Sequence, residues 1–147
     1  MYEKILICLD GSTLSEQILP YAMEQAKKFR SKATLIQAVP IPSSVPSATG
    51  PVTGPALKEQ IDAEQHKAQL YLGKIAAELA SEGVDTDYVA VSGAPGHAIV
   101  QYARENVMDL IAIATHGHSG IKRAVLGSVA DHVIRQSHLP MLVIKPK

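Results

Sequence analysis

The chain has no surplus of charge of either sign: 14 lysines and arginines stand against 14 aspartates and glutamates. It therefore lacks the general basic field that holds a nucleic-acid backbone or an anionic membrane surface, and neither is an expected partner. Cysteine is reduced to Cys8, inside an apolar run. No internal disulfide can form, and a small buried hydrophobe is the expected role. Long apolar runs are missing near the start, where only five apolar residues follow Glu3 and Lys4. That is too short for a signal-peptide core or a membrane span, so a cytoplasmic protein is expected.

Common catalytic signatures are missing too. There is no G-x-x-x-x-G-K-[ST], no G-x-G-x-x-G after the first apolar run and no G-x-S-x-G. These absences exclude an ordinary P-loop, a dinucleotide fingerprint and a nucleophile elbow. The carboxylates and hydroxyls of a Mg²⁺-dependent phosphoryl-transfer engine cannot be assembled either. No catalytic residue is assigned, and slow hydrolysis or self-phosphorylation on Ser119 or Ser128 is the most that is expected. His116 and His118 lie close together, but without cysteines or a matched third ligand they do not make a zinc site, and no metal site is expected. His66, His97, His132 and His138 are expected on helix faces or ends.

What is present fits one domain over residues 1–147, a length that buries about 68–70% of its unfolded surface. Residues 5–9, 110–114 and 141–144 are continuous apolar runs, the pattern of strands covered on both faces in a parallel sheet. Two more strands are expected at 33–39 and 84–91. Between them Ile18, Ala22, Ala26 and Phe29 recur at one-face helical spacing, as do Leu72, Ile75, Ala76 and Leu79. Thr13 with Glu16 matches a capping box, Pro95 suits a first helical turn and Gly83 a helix end. The order is βαβαβαβαβ, an α/β layer fold with right-handed crossovers. Residues 40–55, PIPSSVPSATGPVTGP, break any period with five prolines and two glycines. They read as a flexible connector or as a flap over a ligand crevice.

The chemistry concentrates in DLIAIATHGHSGIKRAVLGSVADHVIRQSHLPMLVIK, residues 109–145, where Gly117 and Gly127-Ser128 flank nine residues. A glycine loop opening onto a helix start offers unpaired N–H groups to an anion, and the helix dipole adds about 0.3–1 kcal/mol. Gly120, Lys122 and Arg123 lie in the same loop. Ser128 also reads simply as a helix N-cap, and Gly127 as the turn before it. Asp10 ends the first strand beside Gly11 and Ser12. In an open α/β sheet it can face the same crevice and accept from a ribose hydroxyl or a base amine, or it can be a solvated turn residue.

Three separated blocks, KILICLDGS, GAPGHAIVQYA at 93–103 and ATHGHSGIKRAVLGSVADHVIRQSHLPMLVIKP, resemble the universal stress protein family in order and spacing over essentially the whole chain. The resemblance implies an open, five-stranded parallel sheet of order 3-2-1-4-5 with helices on both faces, Rossmann-like and close to the adenine nucleotide alpha hydrolase fold. It places Asp10 and Gly117 at the switch point between strands one and four. The family's ATP-binding branch carries G-x-x-G, nine residues, then G-[ST]. Gly117 and Gly127-Ser128 match it, and Ala114 replaces the first glycine. By position, the resemblance assigns adenine and ribose to Asp10 and the backbone at Val39. It assigns ribose and phosphates to the backbone at Ala114, His116, Gly117, Gly127, Ser128 and Val129, with Mg²⁺ held by the phosphates. The implied function is an ATP-binding regulator of a stress response. The alternative is a nucleotide-free dimer acting through contacts with unknown protein partners, which Ala114 keeps open. The same strand order makes 141–145 an apolar edge, and a homodimer through it is expected.

Overall fold

The computed structural model describes residues 1–41, 54–116 and 126–147. The elements are β1 (Lys4–Cys8), α1 (Thr13–Glu16), α2 (Leu19–Phe29), β2 (Lys32–Val39), α3 (Pro55–Ser81), β3 (Thr86–Ser92), α4 (Pro95–Glu105), β4 (Leu110–Ala114), α5 (Ser128–Gln136) and β5 (Met141–Ile144). The strands form a single sheet of order β3-β2-β1-β4-β5, and each neighbouring pair is parallel.

Side-chain alternation along the central strands divides the core in two. Ile5, Ile7 and Leu9 point to one face with Leu35, and Ala22, Ala26, Leu72 and Leu79 of α2 and α3 cover them. Leu6 and Cys8 point to the other face with Ile36, Ile111 and Ile113, covered by Ile99 and Val100 of α4 and Ala130 and Val133 of α5. The continuous apolar runs are thus explained by burial from both sides.

Local punctuation agrees with the sequence in part. Pro95 opens α4. Gly83 follows the C-cap of α3 at φ +90°, its N–H reaching Ala80 O at 3.0 Å while the Val84 N–H reaches Leu79 O at 3.2 Å. That double bond is a Schellman closure, and it moves the start of β3 from Val84 to Thr86. The expected first helix is two. Pro20 has no N–H to give the Glu16 carbonyl, so the chain breaks after Glu16 and restarts at Leu19. Its cap is also corrected: Ser12, not Thr13, stands at the N-cap, its hydroxyl accepting from the Ser15 N–H at 3.1 Å. Glu16 turns away from the cap to accept from Tyr71. The connector or flap read at 40–55 lies mostly outside the described residues, but Pro55 belongs to α3 as its first residue.

α4 and α5 approach so closely that Gly96 cannot carry a side chain without a shift. A Cβ there would lie 2.8 Å from the His132 ring and 2.9 Å from its Cβ. Gly96→Ala is expected to destabilise the fold by about 1–3 kcal/mol in urea unfolding, as overpacking does. His132→Ala in the same chain should recover only the part of the loss that comes from the ring, since its Cβ stays at 2.9 Å, and an additive double mutant would show that the ring and residue 96 do not meet.

Candidate functional site

The strand order reverses beside β1, and at the carboxyl ends of β1, β2 and β4 opens a crevice of about 570 Å³, within the roughly 300–1,000 Å³ of small-molecule sites. Residues from β1, β2, β4, the starts of α4 and α5, and the middle of α3 line it. Of the eight site residues named from sequence, Asp10, Val39, Ala114, His116, Gly127, Ser128 and Val129 all border this one space. Gly117 lies outside the described residues, as do His118, Ser119, Gly120, Lys122 and Arg123.

Asp10 is held by its own turn. Its Oδ1 accepts from the Ser12 N–H at 2.9 Å and from the Ser12 hydroxyl. Ser15 closes the ring, its hydroxyl donating to Ser12 O at 2.8 Å and accepting from the Asp10 N–H at 3.2 Å. Gly11, at φ +86°, makes the turn possible. This is an Asx turn on the lip of the crevice, so the carboxylate is aimed rather than loosely solvated.

At the other lip, β4 runs into α5. Ala114 is buried in regular strand paired with Ile144, and its φ is not in the left-handed region. Its methyl therefore causes no backbone strain. Thr115 donates its N–H to Ile144 O at 2.8 Å, and its hydroxyl contacts His116 Nδ1 at 2.8 Å. The Thr115 carbonyl accepts from the Gly127 N–H at 2.7 Å. That contact sets the identity of residue 127: a Cβ would lie 2.1 Å from Thr115 O, although φ is an ordinary −66°.

The N-cap of α5 is Gly127 itself, and no side chain among the described residues caps the helix. Ser128 is therefore the first helical residue rather than the cap. Ser128 is exposed and borders the crevice with Val129 and Ala130, and the first N–H groups of α5 at these three residues have no intrahelical acceptor. The Gly127 N–H is already used by Thr115.

The long helix α3 supplies residues that the sequence reading missed. Glu64, Lys67, Ala68 and Tyr71 border the crevice, at the i, i+3, i+4, i+7 spacing that continues toward Leu72 and Ile75. The stripe was legible, but its polar half carries no apolar signal. Tyr71 donates to Glu16 Oε1 at 2.7 Å, tying α3 to α1. Burial first, then the bond to Glu16 and the charges of Glu16 and Asp10, push its phenol above the ordinary range, which keeps it a donor. Gln37 of β2 was missed as well. Cys8 borders the crevice floor, where burial pushes its thiol up to about 12, so it is no nucleophile.

The fold and site define a Rossmann-like α/β protein built around a switch-point crevice. The profile of the universal stress protein family matches residues 1–145, and the chain belongs to that family. Universal stress protein MJ0531 of Methanocaldococcus jannaschii is 33% identical over 147 residues, covering 99% of this chain and 83% of that protein. Universal stress protein YxiE of Bacillus subtilis is 32% identical over 151 residues, covering 99% of this chain and all (100%) of that protein. Among solved structures, UspA from Lactobacillus plantarum superposes with a TM-score of 0.83 at 22% identity, covering 98% of each chain. A universal stress protein in complex with cAMP gives 0.65 at 24% identity, covering 99% of this chain and 98% of that one. One from Archaeoglobus fulgidus in complex with dAMP gives 0.62 at 20%, covering 98% of each. At those identities the structures establish the shared fold. No helix among the described residues is long and apolar enough to cross a membrane.

Because Gly127 is required by the approach of two backbones, replacing it disturbs more than a ligand contact. Gly127→Ala is expected to cost about 1–3 kcal/mol of stability with no ligand present, read from the thermal midpoint. An unchanged midpoint would mean that the Thr115–Gly127 contact is not formed in solution.

Proposed function

We propose that the chain is a regulatory protein that binds an adenine nucleotide in this crevice, with ATP as the ligand and Mg²⁺ carried on its phosphates. The observation that carries the reading is convergence: residues named from four separate stretches of sequence border one space of suitable size. The complexes of two fold relatives with cAMP and dAMP support an adenine nucleotide as the ligand class.

The lining suits such a ligand. Leu9, Val39, Ile99 and Ile113 offer apolar surface for a base. Asp10, fixed by its turn, offers an acceptor to ribose hydroxyls. The first N–H groups of α5 and the Lys67 side chain suit phosphate oxygens. A micromolar constant corresponds to about 8 kcal/mol, which phosphate contacts at a helix end do not reach without burial of the base. Ala114 does not argue against the reading, since its methyl lies in regular strand. Occupancy would act on partners through the loops bordering the crevice, in a cytoplasmic stress response.

The second part of the proposal is a homodimer through the C-terminal edge, 141–145. In β5, Met141, Leu142 and Ile144 are half-buried and Val143 is 37% exposed. Among the described residues the outer side of that strand has no neighbour in the sheet. A second copy covers such an edge most simply.

Titration calorimetry with Mg-ATP is expected to give saturable binding near one nucleotide per chain. Asp10→Asn, which keeps an acceptor for the turn but removes the charge, should weaken ATP by about tenfold or more. Unchanged affinity would remove Asp10 from the site, and no binding to the unaltered protein would remove the proposal. Light scattering should give about twice the 15.7 kDa of one chain, and a concentration-independent monomer would exclude the dimer.

A further inference from the structure

We infer that the base of the nucleotide lies against the ring of Tyr71, and that Glu16 is the positioning residue that holds the ring there. This inference rests on the adenine-nucleotide reading above and adds to it the side chain that meets the base.

Of the chain's five tyrosines and one phenylalanine, Tyr71 alone borders the crevice. It is only half-buried, so part of its surface stays open. Its hydroxyl lies at the lip that carries Asp10. It donates to Glu16 Oε1 at 2.7 Å, and Glu16 directly follows Ser15, whose own hydroxyl closes the Asp10 turn. Burial first, then Glu16 and then the charge of Asp10 raise the phenol, so it remains a donor and its tether persists. The side chain also packs against the core cluster that contains Leu9, which itself borders the crevice. Tyr71 is thus held both by its hydroxyl and by the core.

Fastening α3 to α1 needs only a hydroxyl or an amide. A tyrosine adds an aromatic ring to the apolar lining formed by Leu9, Val39 and Ala68. Ala68, one helical turn before Tyr71, presents only a methyl and leaves room beside it. A ring tethered in this way has lost its rotamer freedom on folding, so a base that meets it has little left to immobilise. Contact between two aromatic systems also contributes beyond the area it buries. Among the described residues Glu16 does not border the crevice, so its part is played through Tyr71.

The test combines calorimetry with Mg-ATP and NMR of protein carrying ring-labelled tyrosine, in which the Tyr71 signal is assigned by its loss in Tyr71→Phe. ATP should move the Tyr71 ring protons upfield, as a stacked base does, and Mg-tripolyphosphate, which has no base, should not. Tyr71→Leu should weaken ATP by about tenfold, the weight of one aromatic contact. Tyr71→Phe keeps the ring and loses the tether, and Glu16→Ala does the same from the other side. Each should weaken ATP by about threefold, and the double mutant no further, because both remove one hydrogen bond. Glu16→Gln keeps an acceptor and should restore affinity to within about twofold of the parent. Should Tyr71→Leu fail to fold, the ring-proton shift in the unaltered protein and the Tyr71→Phe affinity still decide. ATP binding with unmoved Tyr71 ring protons, the same shift with tripolyphosphate, or full ATP affinity in Tyr71→Leu overturns this inference alone. No ATP binding by the unaltered protein overturns it together with the function on which it rests.

Discussion

Two-sided burial of β1 and β4 is the constraint from which the rest of the architecture follows. Ile5, Leu6 and Ile7 are wholly buried, as are Ile111 and Ala112. Strands apolar on both faces must lie inside a sheet, with neighbours to satisfy their N–H and C=O groups and helices on each side. β1 meets this by pairing with β2 on one flank and β4 on the other. The chain therefore fills the sheet outward from β1 in one direction, then crosses to the other side after β3. The crevice lies where that reversal occurs, at the carboxyl ends of β1 and β4.

The walls of the crevice are held by contacts that join distant parts of the chain. The Gly127–Thr115 bond sets the start of α5 against the end of β4, with no room for a side chain between them. The Tyr71–Glu16 bond joins the middle of α3 to the short helix after Asp10. Gln17, one residue on, pairs with Lys147: the Lys147 N–H donates to Gln17 Oε1 at 2.9 Å, and Gln17 Nε2 donates to Lys147 O at 3.3 Å. The segment following the edge strand is thus fastened beside the loop that aims Asp10. Ligand lip, covering helix and sheet edge are mechanically adjacent, a sensible layout for a protein whose proposed role is to report occupancy to a partner.

Legibility differed between backbone elements and site. The strands Leu110–Ala114 and Met141–Ile144 have the bounds expected from their apolar runs, and the other three shift by a residue or two where turns compete. The pattern of burial is local in sequence, so the elements could be read there. Caps were less legible. Ser12 and Thr13, or Gly127 and Ser128, are adjacent candidates, and which one is the cap depends on how the preceding loop arrives. Asp10 and the Gly127–Val129 segment were recognisable by position within family-like motifs, whereas Glu64, Lys67 and Tyr71 belong to a helix face whose partner lies far away in the chain.

By itself, the sequence determined the class of fold, the order of its elements and the ends of the crevice, because apolar periodicity and glycine–proline punctuation act over a few residues. Only the tertiary structure decided that Gly127 is dictated by a carbonyl twelve residues earlier, that Ala114 sits in unstrained strand, that α3 closes one side of the site, and that Gln37 buries an acceptor with no donor among the described residues. Each of these is a relation between backbones or side chains remote in sequence. Its energy arises from close approach and exclusion of water, which no local pattern of residue types encodes.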